Sequence, residues 1–360
     1  MNIPPSQRVS YLQPSWFQVV YRRCADVLHC GRFLIDYLCA IFNDRHTIRP
    51  RSYQLMRVFY SRTKGRSARW LARPFEWLYP PKLECTSHEA PLLGGLGSNG
   101  YFHQQTVDDS VIQIATSISQ YLAECPVYEV ESSLRKGARY ANPFLGLKSR
   151  DRHSPRLNHD RTDVVSCPAV WQLLAKLRLP QLASSYLRCD PLLTSVDSWH
   201  VLPIGVDDGR QLELYGAAAQ TYHYDLDWIR FLKVFVNLSD VTSASGPFEF
   251  VAGTHRIKHD RYFRDGRFDC PQDQSDSIVY GNGDVGTYFV ADTSGLHRDG
   301  CALAGQSRHV LQFEFAISAF GAKFQYLDSF RHCSAIVKAN PFLLPSTPSR
   351  RLFGLFVSSV

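Results

Sequence analysis

The run Phe231-Leu232-Lys233-Val234-Phe235-Val236-Asn237-Leu238 decides the fold. It is rich in β-branched and aromatic residues, ends at Ser239-Asp240, and is short for a helix, so it reads as a strand over 230–238. Runs of the same texture lie around it at 194–202, 211–215, 219–224, 247–251, 277–280, 286–291 and 308–316, separated by Gly, Pro, Asp and Ser. About eight short strands after a helical half predict a mainly β fold with flanking helices (α+β), built as a sandwich or jelly roll.

The first half has a different rhythm. Over 15–43, Phe17, Val20, Tyr21, Cys24, Val27 and Leu28 recur at helical spacing. Residues 52–78 continue helical and basic, and Pro80-Pro81 closes the region. The Gly-rich run 94–100 reads as a linker or entry loop. A helix over 107–124 is capped by Asp108 and aligns Val111, Ile112, Ala115, Ile118 and Leu122. A strand at 127–130 follows. Residues 146–164 are polar with little apolar periodicity, and predict a mobile loop that closes over an anionic substrate. Pro168 opens a further helix to Leu177. Three segments result: a basic helical extension (1–90), a main domain (91–330, β core about 193–318) and a C-terminal tail (331–360).

Composition narrows the function classes. The 360 residues are 44% hydrophobic and 20% charged, which excludes a disordered or fibrous chain. Ten Cys without a CxxC pair or regular spacing argue against a zinc ribbon or disulfide scaffold and suit a reducing compartment. The most apolar stretch, 33–42, is half the length of a membrane span and contains Asp36. The expected location is cytoplasmic. The net charge of +7 is concentrated in residues 1–90, which carry 14 Lys and Arg against 6 Asp and Glu. Interleaved Trp and Phe there offer peripheral contact with an anionic membrane as an alternative to packing on the core. No nucleic-acid motif accompanies the charge.

Two short motifs carry chemistry. Thr221-Tyr222-His223-Tyr224-Asp225 presents His-x-Asp, and positions i and i+2 of a strand share a face. Gly286 to Ala291 then leads through Asp292-Thr293-Ser294-Gly295-Leu296 to His297. Two His and one carboxylate on one face of iron leave three positions open, as in non-haem Fe(II) oxygenases. Arg308, eleven residues past His297, offers a guanidinium to clamp a distant carboxylate. Lys233, Phe235 and Asn237 share a face of their strand; if that face turns inward, Lys233 and Asn237 touch co-substrate or substrate. Trp199 belongs to the core, and His200 is a candidate pocket residue.

Over roughly 193–318, and especially in Phe231–Val241, Gly246–His255 and Phe289–Arg308, the sequence resembles the phytanoyl-CoA dioxygenase (PhyH-like) family. The resemblance implies a double-stranded β-helix of cupin-like jelly-roll type. It implies Fe(II), 2-oxoglutarate and dioxygen, with ascorbate as an in vitro aid. It makes His223, Asp225 and His297 the iron ligands and Arg308 the partner of the far 2-oxoglutarate carboxylate. Retention of Asp225 favours hydroxylation over halogenation. The implied substrate is a small molecule or lipid-like compound, anionic if the 146–164 loop covers it. The competing class is a jelly-roll ligand-binding protein that keeps the fold without catalysis. Asp299 departs from the family pattern, since an anion near the co-substrate carboxylate is unhelpful unless it turns outward.

Overall fold

The structure is a computed structural model that describes residues 31–42, 50–82, 90–105, 107–131, 135–140, 155–203, 219–226, 229–256, 258 and 272–318. The expected strand at 211–215, the start of the first helix, residues 146–154 of the predicted lid and the C-terminal tail lie outside them.

Among the described residues, twelve strands form two antiparallel sheets. In chain order they are β1 (Tyr101–Gln104), β2 (Val127–Glu131), β3 (Arg135–Tyr140), β4 (Arg156–His159), β5 (Leu192–Val201), β6 (His223–Tyr224), β7 (Phe231–Asn237), β8 (Phe248–Val251), β9 (Ile278–Tyr280), β10 (Tyr288–Ala291), β11 (Leu296–Asp299) and β12 (Arg308–Ala316). The larger sheet runs β1-β10-β7-β12-β5-β4-β2-β3 and the smaller β6-β11-β8-β9. From β5 to β12 the chain passes back and forth between the sheets, which gives β10-β7-β12-β5 facing β6-β11-β8-β9. That order is the double-stranded β-helix, or jelly roll.

The two inner faces meet in an aromatic cluster of Trp199, Phe235, Phe248, Phe250 and Phe289. Phe235, Phe248 and Phe289 pack with each pair of ring centroids 4.9 Å apart. The outer face of the larger sheet sends Leu232, Val234, Val236, Leu311, Phe313 and Phe315 into a second cluster under the helices. Strand β7 is therefore buried on both faces, which is why its sequence is nearly continuously apolar. Truncating a ring between the sheets costs about 3–5 kcal/mol.

The helices are α1 (residues 31–42), α2 (Pro50–Arg62), α3 (Arg66–Leu78), α4 (Ala90–Asn99), α5 (Asp109–Ala123), α6 (Arg161–Ser166), α7 (Pro168–Lys176) and α8 (Leu179–Leu187). The basic stretch 52–78 is two helices, not one, because Lys64 and Gly65 adopt left-handed φ of 51° and 76° between them. Tyr37, Met56, Tyr60, Ala72 and Phe75 enter the same cluster as the outer face of β7. Tyr60 donates to the Ile229 carbonyl (2.9 Å), and Arg230 donates to Glu76 (2.8 Å). The described part of the extension is thus a packed layer on the core. Among the described residues no helix is long and apolar enough to cross a membrane.

Two loop expectations are corrected. The Gly-rich run lies largely in α4, where Leu92 and Leu96 are buried one turn apart. The helix ends at Gly100, whose φ of 79° and closeness to the His255 ring exclude a side chain. Residues 155–164 of the expected lid are not loop. Strand β4 joins the larger sheet beside β5, and α6 starts from Asp160, whose carboxylate caps the Thr162 amide (2.9 Å). The polar residues mistaken for loop are strand positions with Leu157 and His159 buried between them, or a cap.

Candidate metal centre

His223 stands on β6, Asp225 follows it by two residues, and His297 lies on β11. The two strands pair so that His297 is directly opposite His223. Their rings lie 4.4 Å apart, and Phe248 packs on His297 at 5.5 Å. The sequence placed His297 after a turn. The structure places it within a strand, and this cross-strand register is what brings it to the His-x-Asp pair.

Each imidazole is held in one tautomer. His223 Nδ1 donates to the Thr221 carbonyl (2.8 Å) and His297 Nδ1 to the Gly295 carbonyl (2.9 Å). Nε2 of each ring is then the lone-pair atom, and both face Asp225. His223 Nε2 lies 3.6 Å from Asp225 Oδ1, and His297 Nε2 lies 3.3 Å from Oδ2. All three ligand atoms fall within 4.8 Å of one another. Carbonyl acceptors that fix the ring are the usual outer support of a metal-bound His. Burial pushes the Asp225 pKa up, but Lys233 and the two imidazoles outweigh it and hold the group well below the usual carboxylate range. The ligand set is therefore anionic where a cation needs it.

Lys233 faces inward, toward Asp225. Its Nζ donates to Asp225 Oδ2 (2.7 Å) and lies 3.8 Å from Glu314. Phe235 on the same face joins the inter-sheet cluster. Asn237, two residues on, is spent structurally: it is fully buried, and its Nδ2 donates to the Gly281 and Gly283 carbonyls at 3.4 Å each. These bonds tie β7 to the turn before β10.

Arg308 is 1% exposed, at the start of β12 on the same face as Val310 and Glu314. Its Nη2 donates to Asp299 Oδ1 (2.6 Å), while its buried Nε has no partner among the described residues. Asp299 does not turn outward. It sits 6% exposed between Arg308 and a third group, Arg156, whose Nη1 lies 3.8 Å from Oδ2 and whose guanidinium covers Trp199 at 3.8 Å. Two guanidiniums thus share one carboxylate. Sequence reading missed Arg156 because it lay in the supposed loop. It also missed Glu314, although the alternation Arg308, Val310, Gln312, Glu314 carries the signal. Trp199 is in the core as expected. His200 points away from the pocket, onto the outer face of the sheet.

The helical layer reaches this region. A cleft is bordered by Asp225, Phe231, Lys258 and Asp292 on the core side and by Tyr60 and Ala68 on the extension. Burial lowers the Lys258 pKa to about 7.

No protein-family model matches the chain, and no curated protein does. Among solved structures, it is similar to AviO1 from Streptomyces viridochromogenes Tue57, at 15% identity and a TM-score of 0.40, covering 64% of this chain and 96% of that one. It is similar to SnoN, the non-heme alpha ketoglutarate dependent epimerase of nogalamycin biosynthesis, at 14% identity and a TM-score of 0.45, covering 64% and 83%. It is also similar to EvdO2 from Micromonospora carbonacea var. aurantiaca, at 18% identity and a TM-score of 0.41, covering 65% and 91%. These likenesses are distant, and the fold assignment rests on the strand order itself.

Proposed function

We propose that the protein is an Fe(II)- and 2-oxoglutarate-dependent oxygenase that hydroxylates a small-molecule or lipid-like substrate. The carrying observation is the convergence of His223 Nε2, His297 Nε2 and the Asp225 carboxylate, with both Nδ1 atoms committed to backbone carbonyls. Two imidazoles and one carboxylate fit Fe(II) and leave positions for a bidentate 2-oxo acid and for dioxygen. The buried Arg308, with an unpartnered Nε and a second guanidinium nearby, fits the far carboxylate of the co-substrate. Iron with these co-substrates supplies oxidation of an unactivated C–H bond.

The chain's own residues hold and orient. Lys233 steadies Asp225 and keeps it ionised. Arg308 exchanges Asp299 for the incoming carboxylate, and the Phe235–Phe248–Phe289 cluster keeps water from the inter-sheet space. Assignment to the phytanoyl-CoA dioxygenase-like group rests on the sequence resemblance over 193–318, and a cytoplasmic location on the cysteine usage. Asn237 anchors β7 to the turn before β10 rather than meeting the co-substrate.

The test is succinate release from 2-oxoglutarate with Fe(II) and ascorbate. The same protein is titrated anaerobically for the visible charge-transfer band of a chelated 2-oxo acid. Wild type is expected to give both, and Asp225→Ala neither. Absence of both signals in the folded wild type selects the non-catalytic jelly roll.

A second reading concerns residues 1–90. The packed layer still leaves Phe42, Trp70 and Trp77 at 75%, 59% and 81% exposure. Large aromatics beside Arg66, Arg69 and Arg73 favour contact with an anionic membrane surface. Salt-sensitive flotation on anionic liposomes supports this reading, and no flotation at low salt removes it.

A further inference from the structure

The outer face of the larger sheet is mainly apolar where it packs under the helices. There His159 on β4, His200 on β5 and His309 on β12 come together, 2%, 2% and 4% exposed. Register explains the meeting: His309 is directly opposite His200, and His159 lies one step beyond the Asn158–Trp199 pair on the other side. The rings of His200 and His309 stack at 3.9 Å, and His159 lies 5.2 and 5.3 Å from them. The cluster faces α5, through Ser119, and is separated by the sheet from the inward-facing His223, Asp225 and His297.

We propose that these three histidines form a second metal site, for a divalent ion of the zinc type. Two observations carry it. First, His159 Nε2 and His200 Nε2 stand 3.1 Å apart. Two nitrogens of one tetrahedral ion with bonds of about 2.0–2.1 Å lie about 3.3 Å apart, so the pair is already near that spacing. Second, the His309 tautomer is determined. Ser198 Oγ gives its proton to the Val310 carbonyl (2.9 Å), so at 2.9 Å from His309 Nε2 it accepts, and Nε2 carries the hydrogen. His309 Nδ1 is then the lone-pair atom, with only Ser119 Oγ at 3.5 Å. Burial also keeps all three imidazoles neutral, the form that binds metal. A ligand set of imidazoles without a carboxylate suits zinc, nickel, cobalt or copper. Bound there, an ion joins β4 to β5 and β12, and so fixes the outer three strands to the core.

The experiment uses the full chain carrying His223→Ala and His297→Ala, so that loss of the iron centre cannot be confused with loss of this one. After chelator dialysis the protein is titrated with Zn²⁺ by calorimetry. X-ray absorption is then measured at the zinc edge. One equivalent bound, three imidazole ligands at about 2.0 Å, and loss of at least 100-fold in affinity in His159→Gln or His309→Gln are expected. The X-ray measurement needs no cluster variant, so a misfolded variant does not blunt the test. No zinc retained by the folded double variant, or binding that is unchanged in both cluster variants, overturns the proposal.

Discussion

Asp299→Asn tests how the far end of the site is balanced. In the structure the Asp299 carboxylate receives Arg308 at 2.6 Å and faces Arg156 at 3.8 Å, with all but the Arg156 end buried. Asn keeps the shape and one acceptor but removes the charge. A bare Coulomb term at 2.6 Å and an effective dielectric of about 20 is about 6 kcal/mol, which bounds the effect from above. Removing one partner of a buried pair costs about 3–5 kcal/mol, and the retained hydrogen bond puts the substitution near the lower end. The same change leaves Arg308 without its anion and open to a dicarboxylate. Each 1.4 kcal/mol shifted to the ligand is about tenfold in affinity, so 2-oxoglutarate is expected to bind at least tenfold tighter. At about 100 times its dissociation constant it restores about 2.7 kcal/mol. Urea unfolding with and without 2-oxoglutarate and Mn(II), together with calorimetric titration, reads both quantities. A folded variant that is less stable yet binds 2-oxoglutarate no tighter than wild type refutes the assignment of Arg308 to that carboxylate.

Other outcomes follow from the same geometry. Arg308→Lys, which cannot present the planar fork, raises the Michaelis constant for 2-oxoglutarate; an unchanged value removes the clamp. Lys233→Met frees Asp225 of its closest cation and weakens metal retention at low pH more than at neutral pH, seen as an upward shift of the acid midpoint for metal binding. Burial lowers the folded pKa of His159 to about 4 against an ordinary 6.5, so the unfolded chain takes up the proton first. Stability in chelator is therefore complete above about pH 6.5 and falls as pH drops toward 4, by about 3 kcal/mol from this residue. Urea curves across that range should show the fall, and His159→Gln should flatten it. Removal of residues 1–90 uncovers the cluster holding Leu232 and Val234; a soluble 91–360 fragment with native-like near-ultraviolet dichroism contradicts the packed-layer account.

Much of this was legible in the sequence because it depends on period and spacing. β5, β7, β8, β9, β10 and β12 were readable as short β-branched and aromatic runs. The His-x-Asp pair needed only the two-residue repeat of a strand to share a face. The jelly-roll class followed from the number and texture of those runs and from the family resemblance. What tertiary structure alone decided was pairing across distance. The run 219–224 contains β6, but the four residues of β11 are too few to show a period, and its register on β6 is what sets His297 opposite His223. Polar residues at 155–164 looked like loop because charge was read as solvent exposure. Long-range pairing instead buries Leu157 and His159 in a sheet and turns Arg156 onto Trp199. The fates of Arg308, Asn237 and His200 differ for the same reason. Alternation tells which residues share a face, but only the layer packed against that face determines whether it meets a carboxylate, a turn or two other histidines.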